Sequence, residues 1–240
     1  MKIAPHQTMK EETKEIKKSN EVNGNKIPSS NQFSWINKIF ACLVTSPPLQ
    51  GKRIFLHELV FYYLKQDKPI IFITTDHTPE DIKKEWLEKK FFYGPYEKQG
   101  NVKFIDCYSM NTGKQVKESP QVVYVPGPLA LNELSVALAE TEAEFFKKSS
   151  EHLVVFDSLS TMLLYSKPTT IARFTQVIAG KIRQANGRVC FVVEEGMHDK
   201  QVMVTIEHLM DAIIRVKREN EKILYRADGI PELQDWKALK

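Results

Sequence analysis

The sequence predicts an α/β fold: a mainly parallel sheet covered by helices on both faces, with a C-terminal edge hairpin. Three observations carry this. Runs that are apolar at nearly every position (residues 40–45, 70–74, 102–107, 153–156 and 189–193) alternate with helical patterns, and strands apolar on both sides belong to parallel sheets sandwiched between helices. From residue 212 the pattern changes to two strand-like runs around a charged tip, the signature of an antiparallel hairpin. Finally, 240 residues with 42% hydrophobic and 27% charged side chains suit one large domain, because the apolar segments are spread evenly.

Residues 1–32 are rich in Lys, Glu, Asn and Ser and hold too few apolar groups to offset the entropy of ordering. They are expected to form a flexible charged tail, leaving 33–240 as the domain. Residues 33–39, with Trp35 and Ile36, should pack on the body ahead of a first strand at 40–45. Residues 52–66 place Ile54, Phe55, Leu56, Leu59, Val60, Tyr63 and Leu64 on one helical face. A second strand at 70–74 leads to Thr78 as N-cap and Pro79 at N1 of a helix expected to reach about residue 92. Strands at 102–107 and 122–125, a helix at about 129–149, a strand at 153–156 ending on Asp157, a helix at 170–186 and a strand at 189–193 complete the alternation. Residues 212–216 and 223–225 then flank a hairpin tip at 218–221.

Between the first strand and the first helix stand Ser46, Pro47, Pro48, Leu49, Gln50, Gly51, Lys52 and Arg53. This is the context of a phosphate-binding P-loop, GxxxxGK[ST]. Gly51 and Lys52 fall at the right offsets, whereas Ser46 replaces the first glycine and Arg53 the final hydroxyl. In a working loop glycines let backbone N–H groups face the phosphates, the lysine neutralises them, and the hydroxyl binds Mg²⁺. The metal ligand is missing here.

The run LVTSPPLQGKRIFLHELVFYYLKQDKPIIFITTDHTPEDIKKEW, followed by LVVFDSLSTMLLY and IEHLMDAIIRVKR, resembles the KaiC-like branch of the RecA superfamily of ATPases. The resemblance covers about residues 33–228 and implies a RecA-like fold. It makes Lys52 the P-loop lysine and Asp157 the Walker B carboxylate that holds Mg²⁺ through water. The Glu-Glu pair that polarises the attacking water in active relatives falls on Asp76 and His77. Asp is one methylene shorter, and a shift of about 1 Å costs around 100-fold in rate. Asp76 and His77 are thus degenerate catalytic candidates, and His77 reads first as a surface or loop-capping residue and only second as a base. Leu49 and Ser46 stand where relatives place glycine, so a Cβ at positive φ, costing about 1–2 kcal/mol, is expected to flatten the cradle.

The resemblance implies a regulatory or scaffolding pseudo-ATPase, with retention of ATP left open and Mg²⁺ not required. Two alternatives stand beside it: an active ATPase in signalling or DNA repair, and a pure protein-interaction module with a filled nucleotide site. Arg53 is expected either to replace the metal by pairing with Asp157 or to lie along the helix toward solvent. Glu194 and Glu195, at the end of a strand facing the ligand crevice, read as solvated loop carboxylates. The aromatic groups Phe61, Tyr62, Tyr63 and Phe91, Phe92, Tyr93 read as packing.

Protein partners or self-association are expected. The net charge of +4 is modest, and +2 of it comes from six lysines against four glutamates in the first 26 residues. Nucleic acid is therefore weakly supported. Apolar runs stop at about eight residues, short of the roughly 20 that span a bilayer, and no signal-peptide hydrophobic region opens the chain, so the expected location is the cytoplasm, away from any membrane. Cys42, Cys107 and Cys190 lack the spacing of metal or redox motifs and are expected to be buried reduced thiols.

Overall fold

Nine strands hydrogen-bond into one sheet in the order β4-β3-β2-β5-β6-β1-β7-β8-β9. They are β1 (Ala41–Ser46), β2 (Ile70–Thr74), β3 (Val102–Asp106), β4 (Val122–Tyr124), β5 (Leu153–Asp157), β6 (Arg188–Glu194), β7 (Ala212–Glu219), β8 (Lys222–Asp228) and β9 (Lys237–Ala238). The computed structural model describes residues 32–240 except 148 and 150. The expected N-terminal tail falls almost wholly outside the described residues. The first seven strands run parallel, β8 pairs antiparallel with β7, and β9 pairs antiparallel with β8.

Alternation along each strand explains why the central strands are apolar throughout. Cys42, Val44, Phe72, Phe104, Val155 and Val192 face one layer, which holds α1 (Lys52–Leu64), α2 (Pro79–Glu88) and the short α3 (Gly94–Lys98). Leu43, Ile71, Ile73, Ile105, Phe156 and Phe191 face the other, with α4 (Leu131–Phe146), α5 (Leu159–Tyr165), α6 (Pro168–Gln184) and α7 (Lys200–Glu207). Phe33, Trp35 and Ile36 pack into the first layer around a 3₁₀ turn, as expected.

Four features depart from the sequence reading. The helix begun by Thr78, which makes a full capping box with Asp81, stops at Glu88 rather than about residue 92, and Lys90 turns the chain with φ 61°. Helices α5 and α7 are unannounced: the first is only seven residues long, too short for its buried Leu159, Met162 and Leu163 to stand out as a period, and the second, with Val202, Val204, Thr205 and Ile206, has β-branched residues that mask helical character. The hairpin tip is shorter than expected, since β7 and β8 leave only Asn220 and Glu221, both at positive φ (47° and 61°). Among the aromatic groups, Phe61 stacks on Phe91 at 4.4 Å, but Phe92 is exposed.

All three cysteines are buried free thiols, with the Cys42 and Cys190 sulfurs 3.0 Å apart across β1 and β6. Among the described residues no helix is long and apolar enough to cross a membrane.

Candidate functional site

Because β1, β2, β5 and β6 are parallel, Ser46, Thr74, Asp157 and Glu194 end their strands along one edge of the sheet. This edge is where open α/β sheets bind ligands. The loop from Ser46 to Arg53 leaves it and enters α1, whose N-terminus is capped by Gly51 at φ 96°. Leu49 also lies in the left-handed region, at φ 60°, and its side chain is 93% exposed. The expected flattening therefore does not occur: the loop keeps two left-handed residues and carries the strain of Leu49. Replacing Leu49 with Gly should raise stability by about 0.5–1 kcal/mol, the relief of that strain less the entropy of glycine. Denaturant unfolding checks this, and a loss of stability would mean that the leucine side chain is held by a contact.

The C-terminal hairpin closes one side of the loop. A Cβ at Gly51 would stand 2.2 Å from Ile223 Cδ1, and the Arg218 N–H donates to Gln50 Oε1 at 3.2 Å. Within the loop the Gln50 N–H donates to the Pro47 carbonyl at 3.3 Å.

Lys52 and Arg53 diverge. Lys52 Nζ donates to Glu194 Oε2 at 2.7 Å. Arg53 turns toward α2, where Nη1 donates to His77 Nε2 at 2.8 Å and Nη2 lies 3.0 Å from Glu85 Oε1. Neither expectation for Arg53 holds: it forms no ion pair with Asp157, nor does it lie free in solvent. The guanidinium is taken up instead by His77 and by Glu85 of α2, while Asp157 ends a strand separated from β1 by β6. Glu85 has no second counterion in His57, since burial, reinforced by the Arg53 and Lys89 charges, pushes that imidazole down to about 3 and keeps it neutral.

Asp157 is buried at the end of β5, joined to Ser158 by a cis peptide. Burial, with a further contribution from the Asp76 carboxylate, raises it to about 6 against the opposing pull of Arg53, Lys52 and His77. Asp76 is exposed, and its Oδ1 accepts from Thr75 Oγ1 at 3.3 Å. His77 must use its Nε2 lone pair to accept from Arg53, because a guanidinium has only donors. The two catalytic candidates are thus close to the site, with the imidazole nitrogen facing α1 already engaged.

The position that carries the Mg²⁺-binding hydroxyl in a working loop holds Arg53, whose guanidinium is a cation with only donors and is taken up by His77 and Glu85. The loop does fit an anion. Lys52, two left-handed loop residues and the N-terminus of a 13-residue helix stand together there, while the Arg53 guanidinium points away to His77 and Glu85.

Sequence reasoning missed Glu194 as the partner of Lys52, although strand β6 was already seen to end on this edge. It also missed Glu85, whose signal is its place between Ile82 and Trp86, the buried residues of α2.

The fold is RecA-like and resembles that of KaiC-like proteins. A solved KaiC-like protein of Pyrococcus horikoshii, PH0186, superposes with a TM-score of 0.61 over 84% of this chain and 85% of its own at 12% identity. The flagellar accessory protein FlaH of Methanocaldococcus jannaschii does so at 0.54 over 88% and 83%, with 14% identity. At these identities the likeness is one of fold. In sequence, a UPF0273 protein of Aeropyrum pernix is 25% identical over 182 residues, 72% of this chain and 68% of its own length. The model of a family of unknown function, DUF7504, matches residues 41–216, and this chain belongs to that family.

Proposed function

We propose that this chain is a nucleotide-binding pseudo-ATPase: a RecA-type module that holds the polyphosphate of ATP without Mg²⁺ and does not turn it over. The observation that carries this reading is Arg53. It stands where a metal-binding hydroxyl is expected and is fixed between His77 and Glu85, while Lys52 and the loop's two left-handed residues remain. Lys52 and the N-terminal N–H groups of α1 would take the phosphates. The engaged imidazole of His77 and the short Asp76 leave no positioned base for water. Such a module acts through what its occupied state binds, a protein partner or a second copy, in a regulatory or scaffolding role.

The test is a calorimetric titration with ATP, with and without Mg²⁺, on wild type and Lys52→Ala, together with a phosphate-release assay. Binding should be indifferent to Mg²⁺, and Lys52→Ala should weaken it by at least about tenfold, the loss of one charge-assisted contact. Affinity that climbs steeply with Mg²⁺, or phosphate release that vanishes in Lys52→Ala, would overturn the reading.

A further inference from the structure

We infer that Glu194 is a displaceable internal ligand of the loop, a carboxylate that occupies Lys52 until a polyphosphate takes its place. The inference rests on the nucleotide reading above and adds a residue that sets affinity and ligand class. Its basis is position. In the parallel pairing of β1 with β6, Ser46 is registered against Glu194, so the carboxylate starts beside the first residue of the loop. The Lys52 stem crosses back to meet it at 2.7 Å, and the two side chains are only 14% and 24% exposed. A pair this sheltered is screened less than an open surface pair.

The end of β6 is also fixed. The Glu194 N–H donates to Ser160 Oγ at 2.8 Å, and the Glu195 N–H to the Ser46 carbonyl at 3.0 Å. The carboxylate is thus held over the loop by the fold. An anion that uses Lys52 must break this pair and then stands close to a released negative charge. Ligands with one weak charge cannot offset that, whereas a di- or triphosphate can. Ser160 Oγ, which accepts the Glu194 N–H, also lies 3.1 Å from His198 Nε2, in the segment that leads into α7, so the strand end is anchored from that side too.

The experiment compares wild type, Glu194→Gln and Glu195→Gln, the last removing an equal charge from the neighbouring exposed side chain. Fluorescent ATP analogue titrations should show about tenfold tighter binding to Glu194→Gln and a change within about twofold for Glu195→Gln. A second reading needs no nucleotide: acylation of the Lys52 amine by acetic anhydride, followed by peptide mass spectrometry, should be several-fold faster in Glu194→Gln than in wild type. Equal acylation rates would overturn the pair itself. Faster acylation with equal ATP affinity would overturn displacement and leave the nucleotide reading intact. Failure of all three proteins to bind the analogue would overturn the nucleotide reading and displacement together.

Discussion

Asp157→Asn should make the protein more stable at neutral pH, by up to about 3 kcal/mol. The folded chain holds this carboxyl at about 6 against an ordinary 3.8, chiefly because burial penalises its charge and then because Asp76 is near. At about 1.4 kcal/mol per decade of proton affinity, that gap sets the ceiling of about 3 kcal/mol. The sign follows from proton counting. Between 3.8 and 6 the folded chain binds more protons at this group than the unfolded chain does, so its contribution to stability falls as pH rises through that window and stays low above it. The asparagine variant lacks this fall. Urea unfolding of both proteins at about pH 4 and about pH 7 should show the variant's advantage only at the higher pH. An Arg53–Asp157 ion pair would have given the opposite result, a loss on removing the carboxylate. A variant less stable than wild type at pH 7 would revive that pair.

Trp86→Ala should cost about 4 kcal/mol, the usual toll of emptying a large aromatic site. Trp86 is fully buried on α2 and ringed by Tyr93 at 5.5 Å, Phe104 at 5.6 Å, Phe61 at 5.8 Å, His57 at 6.1 Å and Phe72 at 6.2 Å. The residue before it, Glu85, holds Arg53, so the same side chain that seats the helix on the sheet also positions the carboxylate that draws Arg53 away from Asp157. Chemical denaturation measures the cost. A loss below about 1 kcal/mol would mean that the surrounding rings collapse into the vacated space, as at a readily repacked site.

The parallel sheet was legible because double-faced burial leaves short apolar runs such as 70–74 and 153–156 that alternate with helical patterns. The loop was legible from Gly51 and Lys52 between a strand and a helix. What the carboxylates and cations do there was not. Partner choice depends on strand order, and no local pattern tells that β6 lies between β1 and β5, which brings Glu194 to Lys52 and leaves Asp157 two strands away. The hairpin was visible as two strands around a tip at 218–221, but the tip's two-residue length was not, since Glu221 at positive φ replaces the glycine expected in such a turn.

The loop's fastenings come from far along the chain: Glu194 on Lys52, the Glu195 N–H on Ser46, the Arg218 N–H on Gln50 and Ile223 against Gly51. Each closes a circuit of well over a hundred residues, and such non-local contacts form late in folding. The octapeptide from Ser46 to Arg53 is consequently not portable. Grafted into another scaffold, or emerging on a nascent chain before β6 and the hairpin exist, it would be an ordinary proline-rich turn with two solvated cations, and its shape is a property of the finished sheet.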